Sequence, residues 1–118
     1  MIGKLIVAAL AAASFAGSAS AESALRYAAP LPHGRCMITG MTPKPSINAI
    51  FISFGVTFKK TPVVTVTPTW LGSNHSVGGI ETVIDLGTDH FTGLSANGGT
   101  DYYLSWTAVG VLKAKACV

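Results

Sequence analysis

Beyond Pro32, large apolar residues fall on alternate positions over most of the chain. In Ile50-Phe51-Ile52-Ser53-Phe54-Gly55-Val56-Thr57-Phe58 every even position is large and apolar, while the odd ones are mostly small or polar. A period of two is that of a strand with one buried face. Lys59-Lys60-Thr61-Pro62 breaks the run. Val63–Trp70 resumes it, with Val64, Val66 and Trp70 on one face and three threonines on the other. In residues 79–86, Ile80, Ile84 and Leu86 share one face, and Glu81 and Asp85 point the other way with Val83 between them. Residues 91–95 form a short strand after the turn at Gly87-Thr88-Asp89. Asn97-Gly98-Gly99 then signals a tight turn, because Asn and Gly accept positive φ at low cost. It leads into residues 102–112, where Tyr102, Leu104, Trp106, Ala108 and Leu112 alternate with Tyr103, Ser105, Thr107, Val109 and Val111. Residues 35–39 add a first strand. No window beyond the N-terminal run has a helical period. Short strands at this regular spacing predict an all-β fold, a six-stranded antiparallel β-sandwich.

The N-terminal run follows a different logic. Lys4 supplies a positive charge, residues 5–13 are unbroken apolar sequence, and Ala19-Ser20-Ala21 is a small-x-small cleavage site before Glu22. A span needs roughly 20 apolar residues to cross a bilayer, about twice this run. Residues 1–21 therefore read as a signal peptide whose removal leaves 97 residues and lowers the formal charge from +3 to +2. Residues 22–34, rich in Ala and Pro, read as a loose leader, and residues 35–118 as the folded domain. The product is expected to be secreted or periplasmic, with no membrane span after signal removal.

At 118 residues, with 49% in the hydrophobic class and 11% charged, the chain is long enough for one domain. It is too apolar for a disordered tail and has no basic cluster for nucleic acid. Cys36 and Cys117 are its only cysteines, and outside the cytoplasm they can oxidise. A bridge between them closes nearly the whole domain and contributes up to ~4 kcal/mol on the chain-entropy model. Two cysteines and scattered histidines lack zinc-ligand spacing, so no metal and no cofactor is expected. Tyr103, Val109 and Val111 make the second face of the last strand more apolar than a solvated face, and Val63 and Val83 add to this. Either that face meets another subunit, or the strand is central and covered by its own chain.

Residues 52–64, Ile-Ser-Phe-Gly-Val-Thr-Phe-Lys-Lys-Thr-Pro-Val-Val, resemble the core motif of the H-type lectin domain. In that family an apolar-x-Phe strand is followed by an aromatic residue and by Pro-Val-Val opening the next strand. Phe91 resembles the Phe opening its penultimate strand, and Leu104-Ser105-Trp106-Thr107-Ala108-Val109-Gly110 resembles its closing strand. The pattern recurs in snail agglutinins, discoidins and phage tail-fibre tips, and here it covers about two thirds of the mature chain. The resemblance implies a six-stranded sandwich that forms a homo-oligomer, a trimer or hexamer, and binds galactose or N-acetylgalactosamine between subunits. The family's sugar contacts do not transfer. Residues 42–46 hold no acid, Val77-Gly78-Gly79 stands where an Arg is found, and the turn at 95–100 offers Asn97 alone.

Sugar binding in general needs an aromatic face for the ring and amides, acids or His for the hydroxyls. Trp70, Asn74 and His75 fall in one loop, and Asn97, Asp101 and Tyr102 in another; at one end of a sandwich they could form one cleft. Taken singly, Trp70 reads more often as a core residue at a strand end, and Asn97 more often as a turn former. Asn74-His75-Ser76 also fits the N-glycosylation triplet. Asp85, Asp89 and His90 cross a turn and alternate in direction, so they are not expected to converge on one ion. Neither Gly-x-Ser-x-Gly, His-Glu-x-x-His nor a phosphate loop occurs. The expected function is a non-catalytic, glycan-binding module. The alternative is a structural, assembly or surface-attachment protein built on the same sandwich without sugar binding; a secreted inhibitor or effector has no sequence feature of its own.

Overall fold

The structure, a computed structural model, describes residues 25–72, 79–114 and 116–117. Seven strands follow one another: β1 (Leu25–Leu31), β2 (Arg35–Pro43), β3 (Ile50–Ser53), β4 (Val63–Trp70), β5 (Thr82–Ile84), β6 (His90–Leu94) and β7 (Tyr102–Gly110). They make two antiparallel sheets, one in the order β1-β2-β7-β4 and the other β3-β6-β5. The signal peptide expected at residues 1–21 lies outside the described residues, and no described helix is long and apolar enough to cross a membrane.

Among the described residues the strand count is seven rather than six, and β1 is the difference. Residues 25–31, expected as part of a loose leader, pair along their whole length with β2, from Leu25↔Met41 to Leu31↔Arg35. Arg26, Tyr27 and Ala28 are exposed, so ladder hydrogen bonds hold this edge strand more than burial does. A Pro32–Gly34 turn with positive φ at His33 and Gly34 reverses the chain between them.

The core lies between the sheets. Cys36, Ile38 and Thr42 of β2 face it beside Tyr102, Leu104, Trp106 and Ala108 of β7, with Ile38 opposite Ala108 and Thr42 opposite Leu104. Ile50, Ile52, Phe54 and Phe58 supply the opposite wall, as the period-two pattern predicts. The ladder of β3 stops at Ser53, however, because Gly55 takes φ +76° and turns the chain beside the Arg26 guanidinium, which donates to the Phe54 carbonyl at 3.0 Å. Phe54 nonetheless stacks inward, with ring centroids 5.7 Å from both Phe91 and Trp106. Cys36 and Cys117 form the expected disulfide, Cα to Cα 5.5 Å.

The segment around β5 has the opposite phase to that expected. Ile80 is 87% exposed, and Ile84 and Leu86 also face solvent, whereas Glu81 is buried and Val83 packs against the core. Hydrogen bonds to distant residues make burial of the Glu81 carboxylate tolerable, and those partners reverse the local reading. On the outer face of the four-stranded sheet, Met37, Tyr103 and Val109 are half-buried and Val63 is 70% exposed.

Candidate functional site

The end of the sandwich where β2 and β4 finish and β7 begins carries a buried polar cluster. Lys44 continues the inward phase of Cys36, Ile38, Gly40 and Thr42, and is 1% exposed. Backbone bonds fix it there: Lys44 N–H donates to the Tyr102 carbonyl at 3.0 Å, and Gly99 N–H donates to the Lys44 carbonyl at 3.1 Å. Its Nζ donates to the main-chain oxygens of Ser46 and Ser95, each at 3.3 Å, and to that of Asn97. The Ser95 hydroxyl lies 3.4 Å from the same nitrogen. Burial lowers the Lys44 pKa, and the Glu81 charge partly offsets the effect.

Glu81 is the cluster's acid. Its Oε2 accepts from the Tyr102 hydroxyl, from Ser95 Oγ at 2.5 Å and from Asn97 Nδ2 at 3.5 Å. Its Oε1 is buried without a hydrogen-bond partner among the described residues. Asn97 Nδ2 also donates to the Gly79 carbonyl at 2.9 Å. Burial, and then the Glu81 carboxylate, raise the Tyr102 pKa well above the phenol range. Trp70 covers the cluster from β4, its ring centroid 4.7 Å from that of Tyr102.

The two loops expected to share one end of the sandwich do so. Trp70 is in register with Tyr102, and Leu71 N–H donates to the Asp101 carbonyl at 3.0 Å. The side chains divide differently. Asn97 and Tyr102 are buried and engaged with Glu81, while Trp70 and Asp101 are half-buried; Asn74 and His75 lie outside the described residues. Asn97-Gly98-Gly99 does not turn through positive φ. Gly98 is required instead because a Cβ there would lie 2.2 Å from the Ser46 main chain, so the loop is pressed against residue 46 and Asn97 is directed inward.

Sequence reasoning passed over Lys44 and Glu81. Lys44 was signalled by its even position in the β2 alternation. The Glu81 signal, its shared phase with Val83, is outweighed locally by the large residues at 80, 84 and 86. A second group also emerges, on the outer face of the three-stranded sheet. Phe51 is exposed and stacks on His90 with centroids 5.1 Å apart, and His90 Nδ1 lies 2.7 Å from Asp89 Oδ1. Phe51 was visible as the one aromatic on the polar phase of its run. Among the described residues, no three His, Cys, Asp or Glu side chains gather as metal ligands. Comparison with protein-family models, with curated proteins and with solved structures finds no match to this chain.

Proposed function

We propose that the chain is a non-catalytic, lectin-like module, secreted or periplasmic, that binds glycans as a homo-oligomer. One observation carries the proposal: the segments resembling the H-type lectin motif meet as the centre of the core. Phe54 from the first motif packs 5.7 Å from Trp106 of the last, with Phe91 of the middle motif against both. The six expected strands form two facing sheets around them, with β1 added at an edge. The disulfide suits an oxidising compartment. For the sugar, the exposed Phe51–His90–Asp89 group supplies an aromatic face beside polar atoms, and Trp70 and Asp101 supply the same elements at the end of the sandwich. Weak single sites gain strength when an oligomer engages several at once.

A glycan array probed with folded material of measured mass tests this reading. Binding to galactose-type or other glycans that falls at least tenfold in Phe51→Ala at unchanged melting temperature, or in Trp70→Ala with folding verified by circular dichroism, is the expected result. A blank array from folded oligomer rejects it.

A second reading, an assembly or attachment protein without sugar binding, is favoured by the burial of Asn97 and Tyr102, whose polar groups serve the interior. It predicts an oligomer by light scattering, a blank array, and partner binding indifferent to Trp70→Ala and His75→Ala.

A further inference from the structure

We propose that Lys44 and Asn97 are joined by an intramolecular amide bond, formed by the protein itself with Glu81 as proton carrier. Three residues far apart in sequence supply an amine, a carboxamide and a carboxyl in one water-excluded pocket: Lys44 is 1%, Asn97 4% and Glu81 6% exposed. Burying a charged lysine and a carboxylate is costly, and the cluster contains no direct ion pair of the two among the described residues. The amine is already anchored on Asn97, since Nζ donates to that residue's main-chain oxygen. Only the carbonyl carbon, Cα and Cβ separate this oxygen from Cγ, so the amine is held within one side chain's reach of the carboxamide carbon. Glu81 reaches the other end of the group, with Oε2 3.5 Å from Asn97 Nδ2 and Oε1 without a partner among the described residues. Tyr102 and Ser95 hold the carboxyl in place by donating to Oε2.

The chemistry balances without any outside reagent. Lys44 passes one proton to Glu81 through the Ser95 hydroxyl, which lies 3.4 Å from Nζ and donates to Oε2 at 2.5 Å, and the exposed lone pair of Nζ attacks Asn97 Cγ. The tetrahedral centre loses a proton from Nζ to the carboxyl as Nδ2 takes one from it. The Cγ–Nδ2 bond breaks, ammonia leaves, and the Cγ–Nζ amide remains. Desolvation, which lowers the Lys44 pKa, favours the neutral amine that the attack requires. Once formed, the amide replaces a buried cation with a neutral group. It also fastens the far end of β2, whose near end is already tied through Cys36 to Cys117.

The test is the intact mass of the purified, processed chain after reduction and denaturation. The expected mass is one ammonia below that of the sequence, with a branched proteolytic peptide joining Lys44 to Asn97. Lys44→Arg and Glu81→Gln are expected at full sequence mass. A wild-type chain at full mass overturns the proposal, and this measurement needs no variant to fold. Loss of ammonia that persists in Lys44→Arg also overturns it, because it identifies cyclisation at Asn97-Gly98 instead. Loss that persists in Glu81→Gln, with folding verified by circular dichroism, overturns the role of Glu81.

Discussion

Tyr102 links the two parts of the buried cluster: its ring lies against Trp70, and its hydroxyl donates to the Glu81 carboxylate. Burial and then the Glu81 carboxylate favour the neutral phenol, so its pKa rises from the ordinary 10.0. Below pH 10 both folded and unfolded phenols are protonated and the full stabilisation is present. As pH rises past 10 the unfolded phenol ionises first, and stability is lost until the folded phenol follows. Chemical denaturation midpoints are therefore expected to fall above about pH 10. Tyr102→Phe is expected to cost about 1–3 kcal/mol at neutral pH, because Glu81 loses a donor, and to flatten the alkaline decline. Equal alkaline slopes in the two proteins would remove Tyr102 from the account. The same residue shows why a candidate ligand contact cannot be placed by loop chemistry alone. A phenol next to an aspartate at a strand start reads as a surface group, yet in the β7 alternation Tyr102 shares the phase of Leu104 and Trp106, and that phase decides its direction.

Strand placement was legible wherever large apolar residues mark every second position, as in β4, β7 and the run from Ile50 to Phe58. Three local features escaped it. β1 escaped because its strand character comes from pairing with β2 while several of its side chains stay exposed, so no alternation records it. The phase around β5 escaped because the inward residue that precedes it, Glu81, is a carboxylate whose Oε2 accepts from residues 14 and 21 positions away. The stop in β3 escaped because Phe54 and Phe58 remain buried after the ladder has ended. The candidate site was legible as a meeting of two loops but not as a buried one, since Lys44 and Glu81 declare themselves only through their partners. Two outcomes test these strand relations. Removal of residues 25–31 is expected to leave the two sheets folded and to speed amide exchange selectively in β2, which loses its outer neighbour. Protection of β2 amides that is unchanged would show that β1 does not pair in solution. At the β2–β7 junction, a Cβ on Gly40 would lie 2.4 Å from Trp106 Cζ2 and 2.6 Å from Cε2. Gly40→Ala therefore displaces the largest core ring and is expected to cost about 1–3 kcal/mol, read from the denaturation midpoint at unchanged slope.

Two fastenings close the sandwich, one at its centre and one at its C-terminal segment. The aromatic group of Phe54, Phe58, Phe91 and Trp106 joins the sheets at the centre, and removing one such ring is expected to cost about 3–5 kcal/mol. The C-terminal segment depends on a different fastening. After β7 it makes an isolated bridge from Leu112 to Phe58 and then reaches Cys117, half-buried against Cys36. With a sequence separation of 81, the disulfide restricts most of the unfolded chain as well as pinning this segment. Its loss is expected to cost about 4 kcal/mol on the chain-entropy model. In a domain of this size that is a fall in melting temperature on the order of 20 °C. Reduction of the wild type and the Cys36→Ser/Cys117→Ser double variant should agree, because both remove the same restriction on the unfolded chain. Buried thiol or hydroxyl atoms differ little in volume, so a large gap between the two would point to native-state packing rather than chain entropy. A melting temperature that hardly moves in either would show that the central aromatic group and the polar cluster close the sandwich without the sulfur bridge.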